Sequence, residues 1–405
     1  MSGDVDDRTA HDGLTRVRFW LGTFVMLTAV GFNGLAQTVF TPALAIVAAH
    51  FGGGTGGALS AQSVATMAAV GVMAGGPVVG LLSERSGARW TLVLSLTVYA
   101  LAGSAGLYLD GITPLLVSRL IQGMGTAGIS IATAAMIGDR FDGINRSRVL
   151  GYQGAFLAAA GFISLLISGE ATELMGWRAP FALFLTALPM AALAMVSLTA
   201  EPTHATPGSN AKSGGSLLSL WPIYLATVLI YTAGYTIYLQ LSFVLAGDHV
   251  TSPALQSRIF AVGTAMHFIG GLLYGRVLAR LGQRWMLVAT LLLMAASDLI
   301  VGFTSNLTAI VVACGLAGLG GGNMVIYLNN LILNRAPPAL RGKALGFMVT
   351  AMYIGDFANP WVVTPLRLAV GNHTAFLVVG TAVLLAALTQ AALRRPARPP
   401  AELPA

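Results

Sequence analysis

The chain has 405 residues, of which 56% are hydrophobic and only 9% charged, against about 25% charged in a typical soluble domain. That composition excludes an ordinary water-soluble protein and places most of the chain in lipid. The net charge of +7 would suit a nucleic-acid binder, but the cations gather in one set of loops and in the tails, as in a membrane protein facing anionic lipid.

Taken in order, residues 1–17 carry Asp4, Asp6, Asp7 and Asp12 and read as a disordered tail. They do not form a cleavable signal, because the tail is acidic and the apolar run from Phe19 is too long. Spans of about 20 apolar residues are expected near 18–48, 60–83, 89–109, 112–140, 147–174, 179–199, 218–246, 256–278, 284–304, 307–335, 341–369 and 373–393. The segment 200–217 is polar and rich in Pro, Gly and Ser, so it reads as a cytoplasmic linker between an N-terminal bundle, 18–199, and a C-terminal bundle, 218–393. Residues 394–405 form a second tail. Helices satisfy their own backbone in lipid, so the expected fold class is an all-α membrane protein with twelve transmembrane helices in two six-helix bundles.

The two bundles repeat each other at a constant offset of 195 residues. Gly76, Gly80, Arg85, Gly87 and Arg89-Trp90 match Gly271, Gly275, Arg280, Gly282 and Arg284-Trp285. Gly123 and Gly125 match Gly318 and Gly320, Arg146 matches Arg341, Gly151 matches Gly346, and Gly176 matches Gly371. A duplicated membrane bundle is the plan of a secondary transporter, with its site between the halves. With the N-terminus inside, 18 of the 22 Lys and Arg fall on the inner side or the tails, Arg178, Arg258 and Arg367 fall outside, and Arg119 lies within a span. Both termini are therefore expected in the cytoplasm, with the bundle in the inner membrane. The single cysteine, Cys314, excludes an intrachain disulfide.

Gly80-Leu-Leu-Ser-Glu84-Arg85-Ser-Gly87-Ala-Arg89 follows the second span, and its degenerate copy, Gly275 to Arg284, follows the eighth. The first resembles the G-x-L-a-D-R-x-G-R-k loop of the major facilitator superfamily. Arg119-Leu-Ile-Gln122-Gly123-Met-Gly125 resembles the helix 4 motif R-x-x-Q-G-x-G of its twelve-helix drug:proton antiporters. Gly176-Trp177-Arg178-Ala-Pro-Phe181 resembles the G-W-R-x-x-F between helices 5 and 6. The resemblance covers about residues 18–395 and implies the major facilitator fold. Two departures stand out. Glu84 replaces the usual Asp, and the antiporter signature G-P-x-x-G-G is missing from helix 5, where Ser164-Leu165 and Ser168-Gly169 stand instead; Asn359-Pro360 occupies the repeat-equivalent place in the second half. Independently of the family, the Gly76/Gly80 and Gly271/Gly275 pairs are expected to let neighbouring backbones approach closely. Glu84 is placed to pair with Arg85, Arg89 or Arg341, at the start of helix 11. The loop set Gly80, Glu84, Arg85, Gly87, Arg89 and Arg341 thus reads either as a latch between the halves or as topology-setting charge alone.

Gly123-x-Gly125-x-x-Gly128 matches a dinucleotide fingerprint but sits inside an apolar helix with no strand before it, so it fails that motif's context. No Walker A sequence, catalytic constellation or dense acidic cage for a metal is present; neither enzyme activity nor a cofactor is expected.

Ionisable residues within spans are costly and mark function. Arg119 stands opposite Cys314 in the repeat, Asp356 opposite Gly161, His267 opposite Val72 and Asp298 opposite Gly103, so packing symmetry did not demand them. Arg119 is read as a fixed cation near a carboxylate or substrate, or as a snorkelling side chain. Asp356 is read as a proton carrier or counter-ion, or as a hydrogen bond at the following proline. His267 is read as a relay or as a satisfied interior histidine. Asp298 is read as a helix–helix hydrogen bond or as a further functional carboxylate. Arg119, Asp356 and His267 form the expected proton-coupling set. The expected substrate lining is Asn33, Gln37, Tyr231, Tyr235, Tyr238, Asn323, Tyr327, Asn330, Tyr353 and Asn359, with Tyr152, Gln153 and Trp361 as weaker candidates. These features predict a monomeric transporter exchanging a small amphipathic organic solute against protons. Efflux of drugs or metabolites leads, uptake of an organic nutrient is the alternative, and a non-transporting membrane sensor the remote one.

Overall fold

A computed structural model describes residues 17–141, 143–198, 217–337 and 340–392. The remaining parts of the expected tails and linker, and the side chain of Glu84, lie outside the described residues. Among the described residues there is no strand.

The spans run α1 (Val17–His50), α2 (Gly54–Ser83), α3 (Arg85–Leu107), α4 (Ile112–Arg140), α5 (Arg148–Met175), α6 (Ala179–Ser197) and α7 (Trp221–Gly247). Pro253–Phe303 follows as one apolar stretch of 51 residues, but it turns at Gly282, with φ 73° and ψ 166°. We number its arms α8 (253–281) and α9 (283–303). Then come α10 (Leu307–Arg335), α11 (Arg341–Val370) and α12 (Asn372–Ala392). Among the described residues ten stretches are long and apolar enough to cross a membrane, against the twelve helices numbered here. The difference comes from the undivided α8–α9 stretch and from α11, which is 30 residues long but carries Pro360, Pro365 and several polar groups. Helix boundaries also move: α2 begins at Gly54 rather than near 60, and α1 is interrupted by turns at 29–30 and 39–40 ahead of Pro42.

The repeat has a backbone counterpart. Gly87 and Gly282 turn between helices at φ 79° and 73°, and Gly176 and Gly371 do so at φ 80° and 94°. L-residues with a side chain rarely adopt these angles, so glycine is required at both copies. The end carrying Gly87, Gly282 and the residues flanking the linker is called the linker end, and the opposite one the far end.

Within each bundle, helices meet through glycine. A Cβ at Gly123 of α4 would lie 2.1 Å from the Ala68 carbonyl oxygen of α2, and one at the equivalent Gly318 of α10 would lie 2.0 Å from that of Gly263 on α8. A Cβ at Gly34 of α1 would lie 2.1 Å from the Leu157 oxygen of α5. With no hydrophobic drive between helices in lipid, such close backbone packing supplies the contact energy. The close approach expected at Gly76, Gly80 and Gly275 is not observed, because a Cβ there would meet nothing within 4 Å; one at Gly271 would meet only Ile326, at 3.6 Å.

That correction has a geometric cause. Gly76 and Gly80 on α2, Gly151 and Gly154 on α5, Gly275 on α8 and Gly346 on α11 all lie toward the linker end, and a Cβ at any of them would meet nothing within 4 Å. At the far end the halves touch. A Cβ at Gly169 of α5 would lie 2.2 Å from the Ser257 hydroxyl of α8. The halves are packed together at the far end, where Glu173 also meets Ser252 and Arg258 meets Glu170 across them, while these linker-end faces carry no neighbour.

Candidate functional site

The far-end seam is polar and buried. Gln62 of α2 is fully buried and its Nε2 donates to the Leu239 carbonyl at 3.0 Å and to Gln240 Oε1 at 3.0 Å, both on α7. Thr364 of α11 donates to Gln62 Oε1. Arg367, near the far end of α11, is 5% exposed. Its Nε donates to Gln240 Oε1 at 3.1 Å, its Nη1 donates to Asn372 Oδ1 at 3.0 Å, and its guanidinium stacks 4.4 Å from the Phe243 ring. Nearer the surface, Glu173 accepts from Ser252 Oγ and from the Ala254 amide, and Arg258 pairs with Glu170 at 2.6 Å. Arg178 lies over Trp177 and pairs with Asp110 inside the first bundle.

Beneath this seam lies a cavity of two lobes. The larger, about 300 Å³, is lined chiefly by the second bundle: Ile230, Tyr231, His267, Met294, Met324 and Met352. The smaller, about 50 Å³, is lined by first-bundle groups including Asn33, Phe40, Thr41, Thr66 and Thr126. Gln37, Tyr235, Tyr238, Tyr353 and Asp356 line both lobes. Rotation about the helix axis explains the grouping, because Tyr353 and Asp356 are three residues apart on α11 and so share a face. Asn33 and Gln37 share a face of α1 in the same way.

Asp356 is 8% exposed and its Oδ1 has no hydrogen-bond donor. Among the described residues it is the single Asp, Glu, Lys or Arg lining either lobe. Buried charges are ordinarily paired, and this carboxyl oxygen has no partner among the described residues. Arg119, expected near it, is fully buried with its guanidinium between Phe40 at 4.7 Å and Phe184 at 4.9 Å. Its Nε donates to the Val64 carbonyl at 3.1 Å, and Nη1 and Nη2 find no acceptor among the described residues. Phe40 lines the small lobe and so stands between Arg119 and the cavity. His267 lines the large lobe, and its Nδ1 would lie 3.0 Å from a Cβ at Gly321.

Of the expected lining, the cavity brings together Asn33, Gln37, Tyr231, Tyr235, Tyr238 and Tyr353. It does not include Asn323, Tyr327, Asn330 or Asn359. Asn359 is fully buried and ties α11 to α7: its Nδ2 donates to the Thr232 carbonyl at 2.7 Å and to Thr236 Oγ1 at 3.0 Å, while its Oδ1 accepts from Gln240 at 3.1 Å. Asn330 donates to the Tyr274 hydroxyl, and Tyr327 packs in the second bundle's core. Gln153 donates to the Met26 carbonyl, and Tyr152 and Trp361 are exposed. Asp298 is buried with its Cβ 3.0 Å from a Cβ at Gly380, which places it between α9 and α12. Arg89 donates to the Met195 carbonyl on α6, and its counterpart Arg284 donates to the Gln390 and Ala391 carbonyls on α12. Both satisfy carbonyls at helix C-termini. Sequence reasoning missed Thr66 and Thr126, whose signal was a hydroxyl within an apolar span, and the three methionines, which carry no sequence signal.

An internally duplicated helical membrane bundle around a central cavity defines a secondary transporter. The chain belongs to the Major Facilitator Superfamily, whose model matches residues 26–249 and 223–405. It is thus an integral membrane transporter and not an enzyme. It is similar to the multidrug efflux pump Tap of Mycobacterium tuberculosis, 25% identical over 267 residues, a match spanning 63% of this chain and 63% of the relative. It is also similar to the putative niacin/nicotinamide transporter NiaP of Bacillus subtilis, 22% identical over 340 residues, covering 80% of this chain and 83% of that one. Among solved structures, a D-xylose–proton symporter superposes with a TM-score of 0.74 at 16% identity, covering 92% of this chain and 97% of that one. The inward-open conformation of the xylose transporter XylE from E. coli superposes with a TM-score of 0.70 at 15% identity, covering 94% and 95%. These two likenesses concern the fold.

Proposed function

We propose that the protein exports a small amphipathic organic compound in exchange for protons, by alternating access of one central cavity. The observation that carries this reading is the buried Asp356 carboxylate, with an oxygen lacking a donor, at the junction of the two lobes. With both termini in the cytoplasm, the linker end faces the cytoplasm and the cavity loads from inside. Rocking of the bundles then separates the far-end seam and brings the linker ends together. Gly80, Glu84, Arg85 and Gly87 would meet the start of α11 near Arg341 in that closed state. Arg119 lies in the first bundle and Asp356 in the second, so rocking alters their separation, and a carboxylate holds its charge better near a cation than alone in low dielectric. That difference would load and unload one proton per cycle. Similarity to the Tap efflux pump supports export. The missing Gly-Pro in α5 and the similarity to NiaP favour a second reading, proton-coupled uptake of an organic nutrient.

Proteoliposomes loaded with a pH-sensitive dye test this reading. A panel of amphipathic compounds should include some that drive proton movement in the wild type. In Asp356→Asn the proton movement should vanish while exchange of an uncharged solute persists; a cationic solute should instead lose binding. Normal pH-driven accumulation in that variant would make the carboxylate structural and sink the assignment.

A further inference from the structure

The chemistry of the two lobes restricts what the cavity can hold. Among the described residues, no Lys or Arg lines either lobe, so no permanent cation there compensates a carboxylate, sulfate or phosphate, and His267 of the large lobe would have to take up a proton to do so. The two buried cations closest in the fold are engaged elsewhere: Arg119 between two phenylalanine rings, and Arg367 with Gln240 and Asn372 in the far-end seam. Among the described residues the one carboxyl group of the lining is Asp356, with an oxygen left without a donor. Pro360, four residues on, lacks an N–H, so the Asp356 backbone carbonyl has also lost its helical donor. Both features put negative potential at one point of the wall.

Around that point the wall is aromatic. Tyr231, Tyr235 and Tyr353 line the large lobe with Asp356, and Tyr238 stacks obliquely on Tyr235 with ring centroids 5.6 Å apart. Tyrosine faces attract cations, most strongly when desolvated. Beyond them, Met294, Met324 and Met352, from three different helices, give a soft wall that adapts to apolar bodies of varied shape. The volume of about 300 Å³ is at the lower end of the range for drug-sized ligands. The 50 Å³ lobe is too small for such a body, and its Asn and Thr groups suit a polar substituent.

We infer that the ligand is a singly charged cationic amphiphile, with its ammonium nitrogen at Asp356 inside the tyrosine cluster and its apolar body against the three methionines. The inference rests on the reading of this cavity as the transport site, and it adds the ligand's charge and orientation.

Three probes of one shape test it on the purified full-length protein in detergent: 4-phenylbutyltrimethylammonium, the neutral analogue with carbon in place of nitrogen, and 6-phenylhexanoate. Binding is measured by calorimetric titration, with thermal stabilisation as a second readout. The cation should bind at least about tenfold tighter than the neutral analogue, and the anion should not bind. Asp356→Asn should reduce that preference below about twofold while the neutral analogue binds as before, which also shows that the variant is folded. Met352→Ala should weaken the cation and the neutral analogue by the same factor. Equal binding of cation and neutral analogue, preference for the anion, or no binding of any probe would each overturn the inference. No gradient is present in these measurements. A preserved charge preference alongside failed pH-driven transport would defeat only the exporter reading. Charge-indifferent binding alongside Asp356-dependent transport would defeat only the cation.

Discussion

Arg119 shows how far a single residue's position can be read from sequence. Its depth in α4 and its lack of a symmetry counterpart identified it as an unusual intramembrane charge. Its rotation about the helix axis, which a one-dimensional pattern does not carry, turned it toward Phe40 and Phe184 rather than into the cavity. A buried charge without a carboxylate partner is expensive, and replacing such a group by an apolar one of similar volume is often neutral or stabilising. Arg119→Met should therefore retain or raise the melting temperature. Arg119→Ala loses the charge as well but keeps none of the packing that a methionine retains against the two rings, so the void should make it less stable than Arg119→Met by about 2–5 kcal/mol. Thermal unfolding in detergent checks the order, and a less stable Arg119→Met would show that the charge itself holds α1 against α4. Asn359 carries the complementary lesson. Its place one turn from Asp356 suggested the cavity, yet its amide is fully occupied in tying α11 to α7. A sequence places a polar group at a depth; which neighbour absorbs its hydrogen bonds depends on the packing of another helix.

At the scale of elements, the glycines divide into two sets with opposite predictions. Gly123 and Gly318 lie where a Cβ would press on backbone oxygen at 2.1 and 2.0 Å. Overpacking of this kind costs about 1–3 kcal/mol, so Gly318→Ala should lower thermal stability by that amount. Gly80 faces open space, so Gly80→Val should leave thermal stability within about 1 kcal/mol of the wild type. If the linker ends close through this face, the added bulk should nonetheless abolish transport. A Gly80→Val protein that transports normally would remove this face of α2 from the closing movement. The repeat explains why both sets were visible as matched glycines in the sequence. Only the relative placement of the bundles separates those that pack helices within one half from those held apart between halves.

The molecule as a whole is closed at the far end by a seam built on Gln62, Gln240, Thr364 and Arg367. Leaving a buried partner unsatisfied costs roughly 1–3 kcal/mol, and 1.4 kcal/mol moves a two-state population about tenfold. Gln62→Leu removes a donor to α7 and an acceptor for Thr364 together, so it should shift the protein toward states open at the far end by about tenfold. With the single native thiol removed as Cys314→Ser, a reporter cysteine at Thr66 would be labelled correspondingly faster by a membrane-impermeant reagent added from the far side. Unchanged labelling would mean that the outer ion pair and the Glu173 contacts hold the seam without Gln62.

Hydropathy, the 195-residue repeat and the loop glycines were enough to determine the fold, because lipid forces each apolar span into a helix and duplication fixes how the halves are built. They also determined where Asp356, His267 and the tyrosines stand along their helices, since rise along a helix is a property of the chain alone. The tertiary structure decided the rest. The lobes, the screening of Arg119 by Phe40, the methionine wall and the gathering of Gln62, Gln240, Thr364 and Arg367 into one seam all depend on how four or more helices turn and cross. Those rotations are set by glycine contacts and buried hydrogen bonds between residues as far as 302 positions apart, and a pattern along one helix does not contain them.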